Sequence, residues 1–339
     1  MAVTQPLTHP PVKSGRIGVL LVNLGTPDEP TVPAVKRYLG EFLSDRRVVE
    51  IPAIIWQPIL RIFILNRRPR TTAANYAKVW TERGSPLRAF TEAQAEALQG
   101  AFGDSVTVDW AMRYGSRSIP ERLKALQDDG CDRILLAPLY PQYSSATNAS
   151  VVDAAFAALA AWRWQPALRT LPPYYDSPDH IAAVAESIRD GLAGLDFVPE
   201  VIVTSFHGMP QRTLDRGDPY YCQCQKTGRL LGEALHIPVK VTFQSRFGRA
   251  EWLKPYTDAT LEELPRQGTT RIAVVCPGFS ADCLETLEEV AMEGRETFMA
   301  AGGSHFAYLP CLNASPAGVK MLRALLAREL AGWVELPLG

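Results

Sequence analysis

No run of about 20 apolar residues occurs in this sequence, so a membrane-spanning helix is not expected. Met1 to Gly15 carries prolines and a lone lysine but no apolar core of the secretory kind, and a cleaved leader is not expected either. An excess of charge of one sign is also missing. The net charge is −1, without the basic surplus by which nucleic-acid binders hold phosphates. Cysteine is scarce: six residues, of which only Cys222-Gln223-Cys224 form a close pair. That spacing is CxC, and no second pair stands nearby to complete a four-thiolate site. Few scattered thiols are the pattern of a reducing cytoplasm. The GxGxxG, Walker, HExxH and GxSxG patterns are absent, so dinucleotide, nucleotide-triphosphate, zincin and α/β-hydrolase chemistry lack their usual signatures.

What the sequence does contain is alternation. Ile17–Asn23, Val106–Met112, Arg133–Tyr140, Val201–Phe206, Val239–Phe243 and Arg271–Cys276 are short, β-branched apolar runs that read as buried strands. Between them, Ile119–Asp129, Val151–Ala161, Ile181–Leu192 and Leu284–Ala300 place apolar residues at helical spacing. Strand–helix alternation predicts an α/β fold, with parallel sheets covered by helices on both faces. A length of 339 residues fits two domains. The alanine-rich run Val151 to Trp164 reads as the helix closing the first half, which sets a boundary near residue 165. The expectation is two doubly wound, Rossmann-like domains over 15–165 and 166–315, with 316–339 holding a last helix that folds back on the first half.

One apolar stretch interrupts the alternation. Ile51 to Leu65 is broken by Gln57, Pro58 and Arg61 and runs into Arg67-Arg68-Pro69-Arg70. A pocket lip that touches membrane, covering about 51–70, and an ordinary buried helix with a solvated end both fit that pattern.

In open parallel sheets, ligands sit outside the carboxyl ends of the strands. Polar groups collect there: Asn23-Leu-Gly-Thr-Pro27, Arg113-Tyr-Gly-Ser116, Tyr140-Pro-Gln-Tyr-Ser144, His207, and Phe279 to Glu285. His207 follows a strand and enters a Gly208–Pro210 turn; neutral imidazole there can accept a proton or bind a borderline metal. A hydrogen-bonded structural histidine reads equally well from the neighbourhood alone. Glu285, Glu289 and Glu293 recur every fourth residue, which on an α-helix puts them on one face about 6 Å apart in rise. Such a stripe is either a solvated acidic face or a path for cations inward or protons outward.

Several segments together resemble the ferrochelatases: Leu21-Val-Asn-Leu-Gly-Thr-Pro27, Phe42-Leu-Ser-Asp-Arg46, Gly84-Ser-Pro-Leu87 and Met112-Arg-Tyr114. Pro138-Leu-Tyr-Pro-Gln-Tyr-Ser144, Ser205-Phe-His-Gly-Met-Pro210, Arg216-Gly-Asp-Pro-Tyr220 and Phe243-Gln-Ser-Arg-Phe-Gly248 continue the series. Trp252-Leu253 and Cys276-Pro-Gly-Phe-Ser-Ala-Asp-Cys-Leu-Glu-Thr-Leu-Glu-Glu289 complete it. Each is modest alone; their joint order and spacing are specific, and the likeness runs from about Gly18 to the end.

The resemblance implies two Rossmann-like domains around a porphyrin cleft, and insertion of Fe²⁺ into protoporphyrin IX with release of two protons, the last step of haem biosynthesis. It implies that His207 and Glu285 face each other across the macrocycle, as catalytic groups and as candidate metal contacts. Glu289 and Glu293 would continue a proton or metal path along an unusually wound helix. Leu24, Arg113, Tyr114, Tyr140 and Trp252 would line the porphyrin, and Ile51–Leu65 would be the covering lip with peripheral membrane contact. A cytoplasmic monomer is expected, with Fe²⁺ as substrate and no resident cofactor. The animal-type enzymes hold a [2Fe–2S] cluster through a cysteine where this sequence has Ser145, and through a cysteine-rich tail not seen before Gly339, so no cluster is expected. Cys283 stands where those enzymes carry a second histidine, and Leu24 replaces the tyrosine of the coproporphyrin-using branch. Those departures point to the bacterial, protoporphyrin-using branch. The rival readings are a cobalt or nickel chelatase for another tetrapyrrole and a non-catalytic haem or porphyrin carrier.

Overall fold

The structure, a computed structural model, describes His9 and residues 13–334 except Arg249. Most of the N-terminal segment and residues 335–339 of the expected last segment lie outside the described residues.

The first half runs β1 (Arg16–Gly25), α1 (Val32–Phe42), α2 (Ala53–Ile59), α3 (Leu65–Val79), α4 (Pro86–Phe102), β2 (Thr107–Tyr114), α5 (Ile119–Asp128), β3 (Cys131–Pro138), α6 (Ser150–Ala160) and β4 (Ala167–Thr170). The second half runs α7 (Pro178–Ala193), β5 (Val201–His207), α8 (Gln211–Asp215), α9 (Tyr220–Leu235), β6 (Val239–Gln244), α10 (Thr257–Arg266), β7 (Arg271–Val275), α11 (Arg295–Ala300), β8 (His305–Leu309) and α12 (Pro316–Leu330). Each half holds a four-stranded sheet, in the orders β2-β1-β3-β4 and β6-β5-β7-β8, and every pairing is parallel.

The apolar run at the start explains the layering. Val19, Leu20, Leu21 and Val22 have no exposed surface. Because successive side chains of a strand point to opposite faces, Val19 and Leu21 pack with Leu98 of α4, Ile188 of α7 and Leu326 of α12. Leu20 and Val22 pack with Leu123 of α5 and Val151 of α6. A strand with apolar residues on both faces is stable only between two helical layers. Helices α4 and α12 start alike: Ser85 and Ser315 cap the N–H groups of Arg88 and Gly318, each followed by proline, whose missing N–H and fixed φ suit a first helical turn.

Two expectations shift. Strand β4 is hydrogen-bonded to β3, so the first sheet extends beyond residue 165 and the crossover between halves falls at 171–177. The halves also share one core: Leu21 and Leu135 of the first sheet belong to the same buried cluster as Ile202 and Ala273 of the second. Helix α12 packs on α7 of the second half as well as on α4 and β3 of the first.

Residues 51–65 form α2 and then a π-helical turn, Leu60–Ile64, leading directly into α3. Trp56 and Leu60 anchor this segment in the core beside Tyr38 and Tyr76. Its other side is bare: Ile54 is 85% exposed, Ile62 60% and Phe63 53%. No helix among the described residues is long and apolar enough to cross a membrane.

Candidate active site

In both sheets the strand order reverses, between β1 and β3 and between β5 and β7. Loops leaving the carboxyl ends of two such neighbours diverge to opposite faces and open a crevice. One cavity is lined from both reversals: Leu24 at the end of β1 and Thr26 just after it, Tyr140 and Gln142 after β3, His207 at the end of β5, and Gly278 to Ala281 with Cys283 to Glu285 after β7. Gly25 closes β1 tightly beneath it, with φ +122° and room for no Cβ, since one would lie 2.1 Å from the Tyr114 carbonyl oxygen.

His207 is half-buried, and its Nδ1 lies 2.7 Å from the carbonyl oxygen of Gly208. A carbonyl only accepts, so Nδ1 carries the proton and Nε2 keeps its lone pair. The turn that sets this geometry needs Gly208: its N–H donates to the Gln244 carbonyl at 2.7 Å, and a Cβ would meet that oxygen at 2.5 Å. Behind the turn, Trp252 presses its ring against Gly208 and donates its Nε1–H to Phe247.

Glu285 opens a ten-residue π-helix, Glu285–Gly294. Its wider turn, closed five residues back rather than four, leaves weaker packing along the axis and recurs at functional sites. The acidic line therefore follows a π-helix rather than the α-helical face its spacing described. Burial changes along it: Glu285 and Glu289 are half-buried and Glu293 is exposed. Burial raises the pKa of Glu289, and the Glu285 charge adds to this, while N–H and hydroxyl donors from Ser245 and the nearby His207 hold it down. Partial burial and the neighbouring Glu288 raise that of Glu293. Glu288, beside Glu293, pairs with Lys78 of α3 at 2.6 Å.

Gln244, part of the Phe243–Gly248 segment and with no role attached to it by the sequence, joins the two candidate groups. Its backbone holds the His207 turn, its Nε2 donates to the Glu285 carbonyl at 2.9 Å, and its Oε1 accepts from Ser205 at 2.6 Å. Tyr38 and Tyr76, equally unannounced, line the cavity; burial, the Glu285 charge among its further causes, keeps both hydroxyls far above ordinary phenol pKa values. Only long-range packing brings these residues to the site, and local sequence carries no trace of that.

The expected porphyrin-lining residues divide. Leu24 and Tyr140 line the cavity, and the buried Tyr140 hydroxyl has no protein hydrogen-bond partner. Arg113 and Tyr114 do not line it. Both turn onto Asp45 beneath the lip, the Arg113 guanidinium at 2.7 Å and the Tyr114 hydroxyl at 2.7 Å, with Ser150 completing the cluster. Trp252 supports the His207 turn from behind and is likewise absent from the cavity wall. Cys283 lies in the wall, fully buried, its thiol pKa raised by burial and then by Glu285. Cys224 is buried and Cys222 exposed, and neither bonds to a disulfide partner. Among the described residues, no three His, Cys, Asp or Glu side chains converge to cage a metal.

The family model for ferrochelatase matches residues 16–330. The chain belongs to the ferrochelatase family. The ferrochelatase of Rhizobium meliloti (strain 1021) is 55% identical over 333 residues, covering 96% of this chain and 98% of the relative. That of Methylocella silvestris is 51% identical over 338 residues, covering 96% and 97%. Among solved structures, SirB from Bacillus subtilis with Fe³⁺ superposes with a TM-score of 0.57 at 12% identity, covering 93% of this chain and 96% of SirB. The sirohydrochlorin chelatase SirB of B. subtilis subspecies spizizenii, in complex with cobalt, gives the same TM-score at 11% identity, covering 93% and 97%. These likenesses establish a chelatase-like α/β fold. In this member of the ferrochelatase family, the cavity lies at the two strand-order reversals described above.

Proposed function

We propose that this enzyme inserts Fe²⁺ into protoporphyrin IX, with His207 Nε2 receiving pyrrole protons and Glu285 assisting iron delivery. Ferrochelatase membership supports the reaction class. The observation that carries the division of labour is the Nδ1–H bond to Gly208, which leaves a lone pair on Nε2 of a residue lining the cavity. Glu285, Glu289 and Glu293 form a line from cavity to solvent along which protons leave or hydrated iron enters. The porphyrin lies against Leu24 and Tyr140, whose unpaired hydroxyl offers it a polar contact. Beside the lip, a hollow lined by Arg46, Arg47 and Arg216 provides cations for propionate carboxylates; Arg47 and Arg216 are shared with Asp153 and Glu50. Fe²⁺ is a passing substrate here. No [2Fe–2S] cluster is part of the reading, since Ser145 stands at the expected ligand position.

Anaerobic incubation of the purified protein with protoporphyrin IX and Fe²⁺ is expected to convert the free-base porphyrin spectrum to that of haem. Binding without conversion favours a carrier, and conversion of a different tetrapyrrole alone favours another chelatase.

The bare apolar side of residues 51–65, flanked by exposed Arg61, Arg67, Arg68 and Arg70, supports peripheral contact with an anionic membrane on the cytoplasmic side. Each arginine near such a surface contributes about 1 kcal/mol and each buried aliphatic side chain about 1.5–3 kcal/mol. Ile54→Glu combined with Ile62→Glu is therefore expected to weaken co-sedimentation with phosphatidylserine vesicles at least about tenfold. Undiminished co-sedimentation of the double variant removes the lip from the membrane contact. A monomer is the expected state off the membrane.

A further inference from the structure

A second pocket lies behind one wall of the site cavity. Phe279 and Ser280 line both. This pocket also takes in His180 of α7 and Tyr174, and its remaining walls are mainly apolar, among them Val184, Ile188 and Met321. His180 is 2% exposed, and neither of its ring nitrogens has a protein hydrogen-bond partner. The Tyr174 hydroxyl and the Ser280 hydroxyl are likewise buried and unpaired, and the Tyr174 and His180 rings meet edge to face at 5.4 Å.

Four polar atoms left dry would cost about 1–3 kcal/mol each, a large share of the ~5–15 kcal/mol that holds a domain together. Walls of valine, isoleucine and methionine offer them nothing. The pocket has about 20 Å³, somewhat more than the ~10–15 Å³ one water requires, and a buried water needs 2–4 polar partners. Its rim reaches the exposed Pro310 and half-buried Ser187, so it opens towards solvent. Burial lowers the imidazole pKa to about 4, which leaves His180 neutral at pH 7 with one donor and one acceptor nitrogen.

We propose that this pocket holds a hydrogen-bonded water and that Ser280, the water and His180 relay pyrrole protons out of the site cavity. The inference rests on the metallation reading above. A proton arriving at the Ser280 oxygen displaces the hydroxyl proton to the water. The water passes one of its own to the bare nitrogen of His180, and the opposite ring N–H releases its proton towards Tyr174 and the rim. Each passage leaves the ring as its other tautomer, and rotation of the imidazole and of the Ser280 hydroxyl resets the chain for the next proton. Two such passages balance the two positive charges brought in by Fe²⁺. His180 touches neither iron nor porphyrin and is a positioning residue for the proton path.

The test compares His180→Leu and His180→Gln in steady-state metallation of protoporphyrin IX. Leucine fills the pocket with apolar atoms and removes the unpaired nitrogens, so Tm is expected to hold or rise. The kcat of His180→Leu is expected to fall about tenfold, below the ~10²–10⁴ of a direct proton acceptor, with KM for porphyrin and Fe²⁺ unchanged and a larger solvent isotope effect on kcat. Glutamine, with its own donor and acceptor, is expected to recover most of the rate. Wild-type kcat in His180→Leu overturns the relay. Should His180→Leu fail to fold, Ser280→Ala removes only a hydroxyl at the other end of the chain, and wild-type kcat and isotope effect there overturn the relay equally. A wild-type protein that does not metallate porphyrin defeats the functional reading itself, which is a separate result.

Discussion

His207→Ala is expected to lower kcat for protoporphyrin metallation by about 10²- to 10⁴-fold, the range for losing a positioned proton acceptor. Porphyrin affinity, read from fluorescence quenching, is expected to change little, because Leu24 and Tyr140 supply the wall on the opposite half of the cavity. The loss follows from one bond. With Nδ1–H committed to the Gly208 carbonyl, Nε2 is the only ring atom left to take a proton. If His207 is the acceptor, KM for Fe²⁺ stays constant in the variant and added imidazole restores part of the rate. If instead it is the first iron ligand, KM for Fe²⁺ rises and imidazole does not help. Glu285→Gln is the counterpart: it removes charge but keeps shape, and is expected to raise KM for Fe²⁺. An undiminished rate in His207→Ala excludes both roles.

The second large effect concerns stability. Asp45 sits where α1 hands the chain to the lip, beneath the hydroxyls of Tyr114 and Ser150 and the guanidinium of Arg113. The Arg113 and Asp45 side chains are 19% and 11% exposed, so removing the carboxylate leaves a largely desolvated cation without its counter-charge, and the Tyr114 and Ser150 hydroxyls lose their charged acceptor. Asp45→Ala is expected to destabilise the fold by about 3 kcal/mol, the lower end for breaking a buried pair, and to lower Tm by roughly 5 °C or more. An unchanged Tm refutes the assignment. Acid dependence gives a second check. Burial alone would raise the Asp45 pKa, but hydrogen bonds from Ser150, the Arg47 backbone and Tyr114, with the Arg113 charge, lower it overall. A carboxyl with a depressed folded pKa stabilises above its unfolded value, and that stability is lost as pH falls through the folded one. The wild type is therefore expected to lose stability more steeply than Asp45→Ala as pH drops below the ordinary carboxylate range.

The interior strands β1, β3, β5 and β7, with β2 and β6 beside them, were legible because continuous β-branched apolar runs have few other solutions. The edge strands β4 and β8 were not. Ala167-Leu-Arg-Thr170 is four residues long with exposed ends, and His305-Phe-Ala-Tyr-Leu309 starts exposed, so neither shows a continuous apolar run. That His207 and Glu285 come together at one cavity was legible through their strand-end positions and the resemblance. Arg113, Tyr114 and Trp252 stand outside the cavity lining for a common reason: adjacency to a strand end fixes where a backbone goes, whereas Asp45 and Gly208 decide where those side chains turn. His180 and Gln244 act through partners distant in sequence, such as Gly208 and Ser205 for Gln244 and Ser280 for His180. Spacing is similarly silent on winding, since i, i+4 glutamates look alike on an α- and a π-helix, and only the resemblance pointed to an unusually wound helix.

The shared strand order of the two halves has a consequence for how such a catalyst can change. Both candidate chemical groups, His207 and Glu285, come from the second sheet, and the first sheet contributes Leu24 and Tyr140 as an inert plate. On the proposed reading, reaction belongs to the second module, and recognition is shared, with the first supplying the plate. Substitutions in the loops after β1 and β3 can retune which macrocycle is accepted while the proton and metal machinery stays untouched. The reverse holds for the loops after β5 and β7, where the metal can be exchanged without redrawing the plate.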